Sequence, residues 1–119
     1  MEKGVREAER RIAVVGGDAR LDLAGLELTD SDLRTLRPNI GNLTALTDLW
    51  LDNNQLTVVP EAIGNLTALT SLDVSDNKLT LVPEAIGKLT DLTELGLSGN
   101  PILETAKVLN RAGTDPEDN

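Results

Sequence analysis

Residues 43–65 read LTALTDLWLDNNQLTVVPEAIGN and residues 66–88 read LTALTSLDVSDNKLTLVPEAIGK, and these two 23-residue blocks are identical at 15 positions. A third copy opens at Leu89 as LTDLTELGLSGNPIL and leaves the pattern after Ile102. Upstream, Leu21-Asp-Leu23-Ala-Gly-Leu26-Glu-Leu28 is a degenerate copy, followed by a stretch five residues longer than its counterparts. A repeat of this length restricts the fold severely. No unit can bury its own apolar face, so successive units must cover one another in a continuous stack.

Within each unit the apolar positions specify how the stack is built. Leu49-x-Leu51, Leu72-x-Val74 and Leu95-x-Leu97 alternate with period two, so each predicts a short strand with one buried face. Every unit runs in the same direction, which makes the pairing parallel. Asn54, Asn77 and Asn100 recur where the chain leaves the strand. Stacked amides there can satisfy buried backbone groups that otherwise cost about 1–3 kcal/mol each. The first unit carries Leu26 at that position, so this ladder lacks its first rung. Pro60 and Pro83 fix φ on the return path, and Gly64 and Gly87 are expected to turn the chain into the next strand.

The order L-x-x-L-x-L-x-x-N-x-L, followed by V-P-x-x-I-G (Val59, Pro60, Ile63, Gly64; Val82, Pro83, Ile86, Gly87), resembles the leucine-rich repeat family, in its 23-residue intracellular signalling class. The resemblance covers roughly residues 18–103 and implies a short right-handed α/β solenoid. That horseshoe has about four repeats, a parallel sheet on the concave side and helical caps at both ends. Val5, Ala8 and Ile12 in Glu2 to Ile12 form the apolar face of a short amphipathic helix, placing an N-terminal cap within residues 1–17. Leu103, Ala106, Val108 and Leu109 before Gly113 predict a C-terminal cap helix over 104–113, and 114–119 is expected to be a disordered acidic tail.

Composition narrows the chemistry. The 119 residues include no His, Cys, Phe or Tyr, one Trp, and 20 acidic against 11 basic residues, a formal charge of −9. Cys/His metal sites, Cys nucleophiles and imidazole-based triads are impossible, and no cofactor is expected. A carboxylate pair such as Asp48 and Asp73 could do glycosidase-like chemistry only in a cleft, which an open sheet does not supply, so the chain reads as no enzyme. The charge disfavours nucleic acid as a partner. No run approaches a membrane span, and the N-terminus has no apolar signal core, so the expected location is cytoplasmic. Asn42-Leu-Thr44 and Asn65-Leu-Thr67 match the glycosylation acceptor only as by-products of the repeat junction. Asp30-Ser-Asp32 lacks the Gly and Glu of a calcium loop and reads instead as a helix start capped by Asp30 or Ser31. Gly16-Gly17 and Gly87-Lys88 lack the spacing of phosphate loops.

Strand side chains alternate faces, so the residues between the buried leucines form the concave surface. They are Arg20, Asp22, Ala24 and Gly25; Asp48, Trp50, Asp52 and Asn53; Ser71, Asp73, Ser75 and Asp76; Glu94, Gly96, Ser98 and Gly99. Trp50 lies in the middle as a largely exposed indole flanked by Asp22 and Asp73, and like charges on adjacent strands imply a cost that recognition would explain. The expected function is protein–protein interaction with a basic peptide or protein surface, carried by Trp50, Asp22, Asp48, Asp52, Asp73, Asp76 and Glu94. Sixteen positions fall short of the roughly 20–30 residues per side of a standard interface, so the epitope is small. Two alternatives stand beside this. The chain could be a scaffold in a larger signalling assembly, for example beside a GTPase domain, that uses its caps or convex side. Or its acidic face could bind a cation.

Overall fold

A computed structural model of the protein describes residues 2–15, 19–36, 39–82 and 84–102. Pro83, the expected cap helix at 104–113 and the expected tail at 114–119 lie outside them. The chain opens with α1 (Glu2–Val15) and β1 (Arg20–Asp22), followed by α2 (Asp30–Thr35). Then β2 (Asp48–Trp50), β3 (Ser71–Asp73) and β4 (Glu94–Gly96) alternate with 3₁₀ turns at Ile40–Asn42, Glu61–Asn65 and Glu84–Lys88. The strands form one parallel sheet in the order β1-β2-β3-β4. Strand order equal to chain order is the signature of a solenoid, each unit touching its neighbours.

The central residue of each strand points inward. Leu21, Leu49 and Leu72 are buried in one cluster with Leu23, Leu51 and Val74 from the strand exits and Leu56, Ile63, Leu69 and Leu79 from the return paths. On β4, the last strand among the described residues, the equivalent Leu95 is 37% exposed.

The return paths differ for a reason visible in their length. The five extra residues of the first unit wind into α2, whereas the shorter units manage only 3₁₀ turns. The cap of α2 is Thr29, not Asp30 or Ser31: its Oγ1 accepts from Asp32 N, and the Asp32 carboxylate accepts from Thr29 N at 3.0 Å. This reciprocal box needs an acceptor three residues on, which Thr29 finds in Asp32. Asp30 is thereby released for another task, described below. Gly64 also departs from expectation, since positive φ among described glycines is confined to Gly25 and Gly99. A Cβ on Gly64 would meet the Ala85 carbonyl oxygen at 3.2 Å, and one on Gly41 would meet the Ala62 Cβ at 2.9 Å. These glycines let adjacent return paths approach closely. Gly87, by contrast, has no described residue within 4 Å of the equivalent point.

Helix α1 extends three residues past Ile12. Ala8 and Ile12 are buried in the core, Val5 and Val15 pack against it, and Val14 faces solvent. Arg11 ties the helix to the sheet: its Nε donates to Glu7 Oε2 at 2.8 Å and its Nη1 to the Asp22 carbonyl at 2.8 Å. Hydrogen bonds from Arg10 and then Arg11 lower the Glu7 pKa from 4.5 to about 2. A depressed carboxyl pKa stabilises above the unfolded value and loses that effect as pH falls toward the folded one. Helical content should therefore decline between about pH 4.5 and pH 2, and Glu7→Gln should flatten that decline in far-UV circular dichroism. Parallel curves for the two proteins would refute the assignment.

Candidate functional site on the concave sheet face

The register arranges the outward side chains in two rows. Arg20, Asp48, Ser71 and Glu94 are aligned at the strand starts, and Asp22, Trp50, Asp73 and Gly96 at the strand ends. Within each row no two carboxylates are adjacent: Ser71 separates Asp48 from Glu94, and Trp50 separates Asp22 from Asp73. The like-charge cost expected from neighbouring strands is thus largely avoided, because directly opposed pairs dominate such repulsion. Acidic charge is dispersed over the face, not stacked.

Several of these acids also serve the backbone. Asp22 Oδ1 accepts from Ala24 N at 3.0 Å, and Asp73 Oδ1 from Ser75 N at 2.9 Å and from Ser75 Oγ. Asp48 accepts from Thr47 Oγ1 and Asp52 from Asn53 Nδ2. Asp76 has φ of 55° and Asn53 φ of 59°, and the same repeat position is Gly25 in the first unit and Gly99 in the fourth. That position requires a left-handed backbone, which Gly, Asn and Asp adopt most readily. Asp76 consequently has a conformational reason to be present that the pattern of charges does not reveal. Glu94 is exposed on β4.

Trp50 is half-buried, more covered than the open indole expected. With Ser71, Leu72, Asp73, Glu94, Leu95 and Gly96 it lines an open depression of about 470 Å³ over β2 to β4. A larger depression of about 770 Å³ lies between α1 and the turn after β1, bordered by Arg10, which is paired with Glu7. Among the described residues, no group of three or more acidic side chains could hold a metal ion. No described helix is long and apolar enough to cross a membrane.

Beneath this face the asparagines form a hydrogen-bonded ladder. Asn54 Oδ1 accepts from Leu26 N and Leu28 N while its Nδ2 donates to the Leu23 and Leu51 carbonyls. Asn77 Oδ1 accepts from Leu56 N at 3.0 Å, and its Nδ2 donates to the Leu51 and Val74 carbonyls, each at 3.0 Å. Asn100 Oδ1 accepts from Asn77 N and Leu79 N, and its Nδ2 donates to Val74 and Leu97. Each amide bonds its own unit and the preceding one. At Leu26, which has no amide to offer, the backbone N–H is served by Asn54.

Two further features hold the face and are not evident in the repeat pattern. Thr47, Thr70 and Thr93 donate their hydroxyls to the carbonyls of Ala19, Thr47 and Thr70, a second ladder at the strand entrances. Asp30 Oδ1 accepts from Thr57 N at 2.8 Å and its Oδ2 from Thr57 Oγ1, which joins α2 to the next return path. The recurring threonine of L-T-x-L-T is a signal that could have revealed the first. Nothing local in the sequence marks the second, since Asp30 and Thr57 lie in units of unequal length.

A search of curated proteins found no match to the chain. Among solved structures, an LRR protein of Leptospira interrogans is similar, with 39% identity and a TM-score of 0.54. The alignment covers 62% of this chain and 18% of that protein, so this chain spans only a small part of its relative's length. The family model described as leucine rich repeat matches twice, at residues 22–79 and 44–102. With the parallel sheet in chain order and the amide ladder below it, this match shows that the chain belongs to the leucine-rich repeat family.

Proposed function

We propose that the chain is a non-catalytic binding module whose concave sheet takes a basic peptide or a small basic protein epitope. Leucine-rich repeat domains generally mediate protein–protein interaction, which supports the broad class. The observation that carries the finer reading is Trp50. The one aromatic residue of the sequence stands, half-buried, on the outward row of the sheet, and carboxylates stand around it at Asp22, Asp48, Asp73 and Glu94. An aromatic anchor supplies contact area at little entropic cost, and the surrounding charge steers a cationic partner. In this reading α1 closes the N-terminal end of the stack, and the absence of cysteine in the sequence suits the reducing cytoplasm.

A pentalysine peptide tests the proposal. Titrated against the labelled protein at low salt, it should shift amide resonances on β2, β3 and β4, and Trp50→Ala with Glu94→Gln should weaken binding by about tenfold. Shifts confined to other surfaces, or binding unaltered in the double variant, would exclude the concave site. The scaffold reading draws on a different observation. Val58, Leu81 and Val82 are exposed, and Val58 borders a mostly apolar groove with Val59, Pro60 and Ala62 on the return-path side. Val58→Ser with Leu81→Ser should leave pentalysine binding intact if the concave face is the site.

A further inference from the structure

We infer that the depression beside Trp50 seats a single arginine side chain of the partner; this rests on the basic-partner reading above and names the residue that would anchor it. Trp50 and Glu94 border the depression on β2 and β4, and Asp73 stands between them. Two small residues keep its floor open: Ser71 in the row of Glu94, and Gly96 in the row of Trp50. Gly96 has a specific reason to lack a side chain. A Cβ there would lie 2.5 Å from Asp73 Oδ1 and 2.9 Å from Ser75 Oγ. The Asp73 carboxylate therefore leans over β4, held by Ser75 N and Oγ.

The result is an aromatic surface and two carboxylates on the rim of one open depression, floored by Ser71 and Gly96. A guanidinium is planar and carries donors around its rim, so it can stack on the indole while its N–H groups reach Asp73 and Glu94. An ammonium is a compact charge with neither a plane to stack nor a fork to share between two acceptors. A carboxylate already fixed in one orientation also loses little freedom on accepting such a bond.

The test compares pentalysine with the same peptide carrying arginine at its central position, equal in length and charge, by Trp50 fluorescence and by amide resonance shifts. The arginine peptide should bind about fivefold tighter or more, with shifts centred on Trp50, Asp73 and Glu94. That preference should vanish in Trp50→Leu, read by resonance shifts, and in Gly96→Ala, which displaces the Asp73 carboxylate. Equal affinities, with both peptides on the concave face, would overturn the arginine seat and leave the basic-partner reading standing. Failure of either peptide to reach that face would overturn both. An arginine preference that survives Trp50→Leu would place the guanidinium elsewhere and refute the seat alone.

Discussion

Replacing Asn77 with Ala is expected to cost the fold about 2–3 kcal/mol, measured as a shift in the denaturant midpoint at constant slope. The reason is an asymmetry in what the amide serves. The Leu51 carbonyl accepts from both Asn54 and Asn77, and the Val74 carbonyl from both Asn77 and Asn100. Each would keep one donor after the substitution. The Leu56 N–H bonds to Asn77 Oδ1, buried between two units. Its desolvation goes uncompensated in the variant, because a methyl group offers no acceptor in place of the amide oxygen. Asn65→Ala, on an exposed turn end of the preceding unit, is the control and should change stability by less than about 0.5 kcal/mol. Equal effects at the two positions would mean that the ladder does not hold the units together.

How much of this was legible beforehand follows from which interactions repeat. The buried leucines and asparagines recur at fixed offsets, so the strands, their parallel order and the position of the amides can be read from a single chain. The outward rows follow from the same alternation, and they put Trp50 between Asp22 and Asp73. What resisted reading depends on atoms that no repeat specifies. The inference of like-charge cost assumed opposed carboxylates, but the four units place their acids in different columns, and register decides whether they meet. Asp76 looks like one more charge until its backbone is seen to be left-handed. Thr29 outcompetes Asp30 as the cap because Asp32 answers it, and Asp30 turns to Thr57 in another unit. Gly64 and Gly41 look like turn residues, yet the constraint on them is the alanine of the neighbouring unit. For the register, for Asp30 and for the two glycines, a contact across units settled the role; for Asp76 and Thr29 it was local backbone geometry.

The same principle predicts that Gly4→Ala will act against its local propensity. Gly4 lies inside α1, where alanine is favoured over glycine by about 1 kcal/mol in an isolated helix. A Cβ at this position, however, would sit 2.0 Å from the Leu26 carbonyl oxygen and 3.2 Å from its carbon. Those are backbone atoms of the first unit, anchored on one side by the Leu26 N–H bond to Asn54. They cannot rotate out of the way as a side chain could. The helix must instead lift from the turn, and lifting it exposes Ala8 and Ile12, which are buried in the core cluster with Leu21 and Leu23. Overpacking of this kind costs about 1–3 kcal/mol, so the variant should melt several degrees below the parent despite its better helix former. Gly87→Ala supplies the contrast, since no described residue lies within 4 Å of its Cβ position and its φ is not positive. It should be neutral or slightly stabilising. If Gly4→Ala raised the melting temperature as much as Gly87→Ala, helix propensity alone would govern the first residues, and α1 would not be seated on the Leu26 turn.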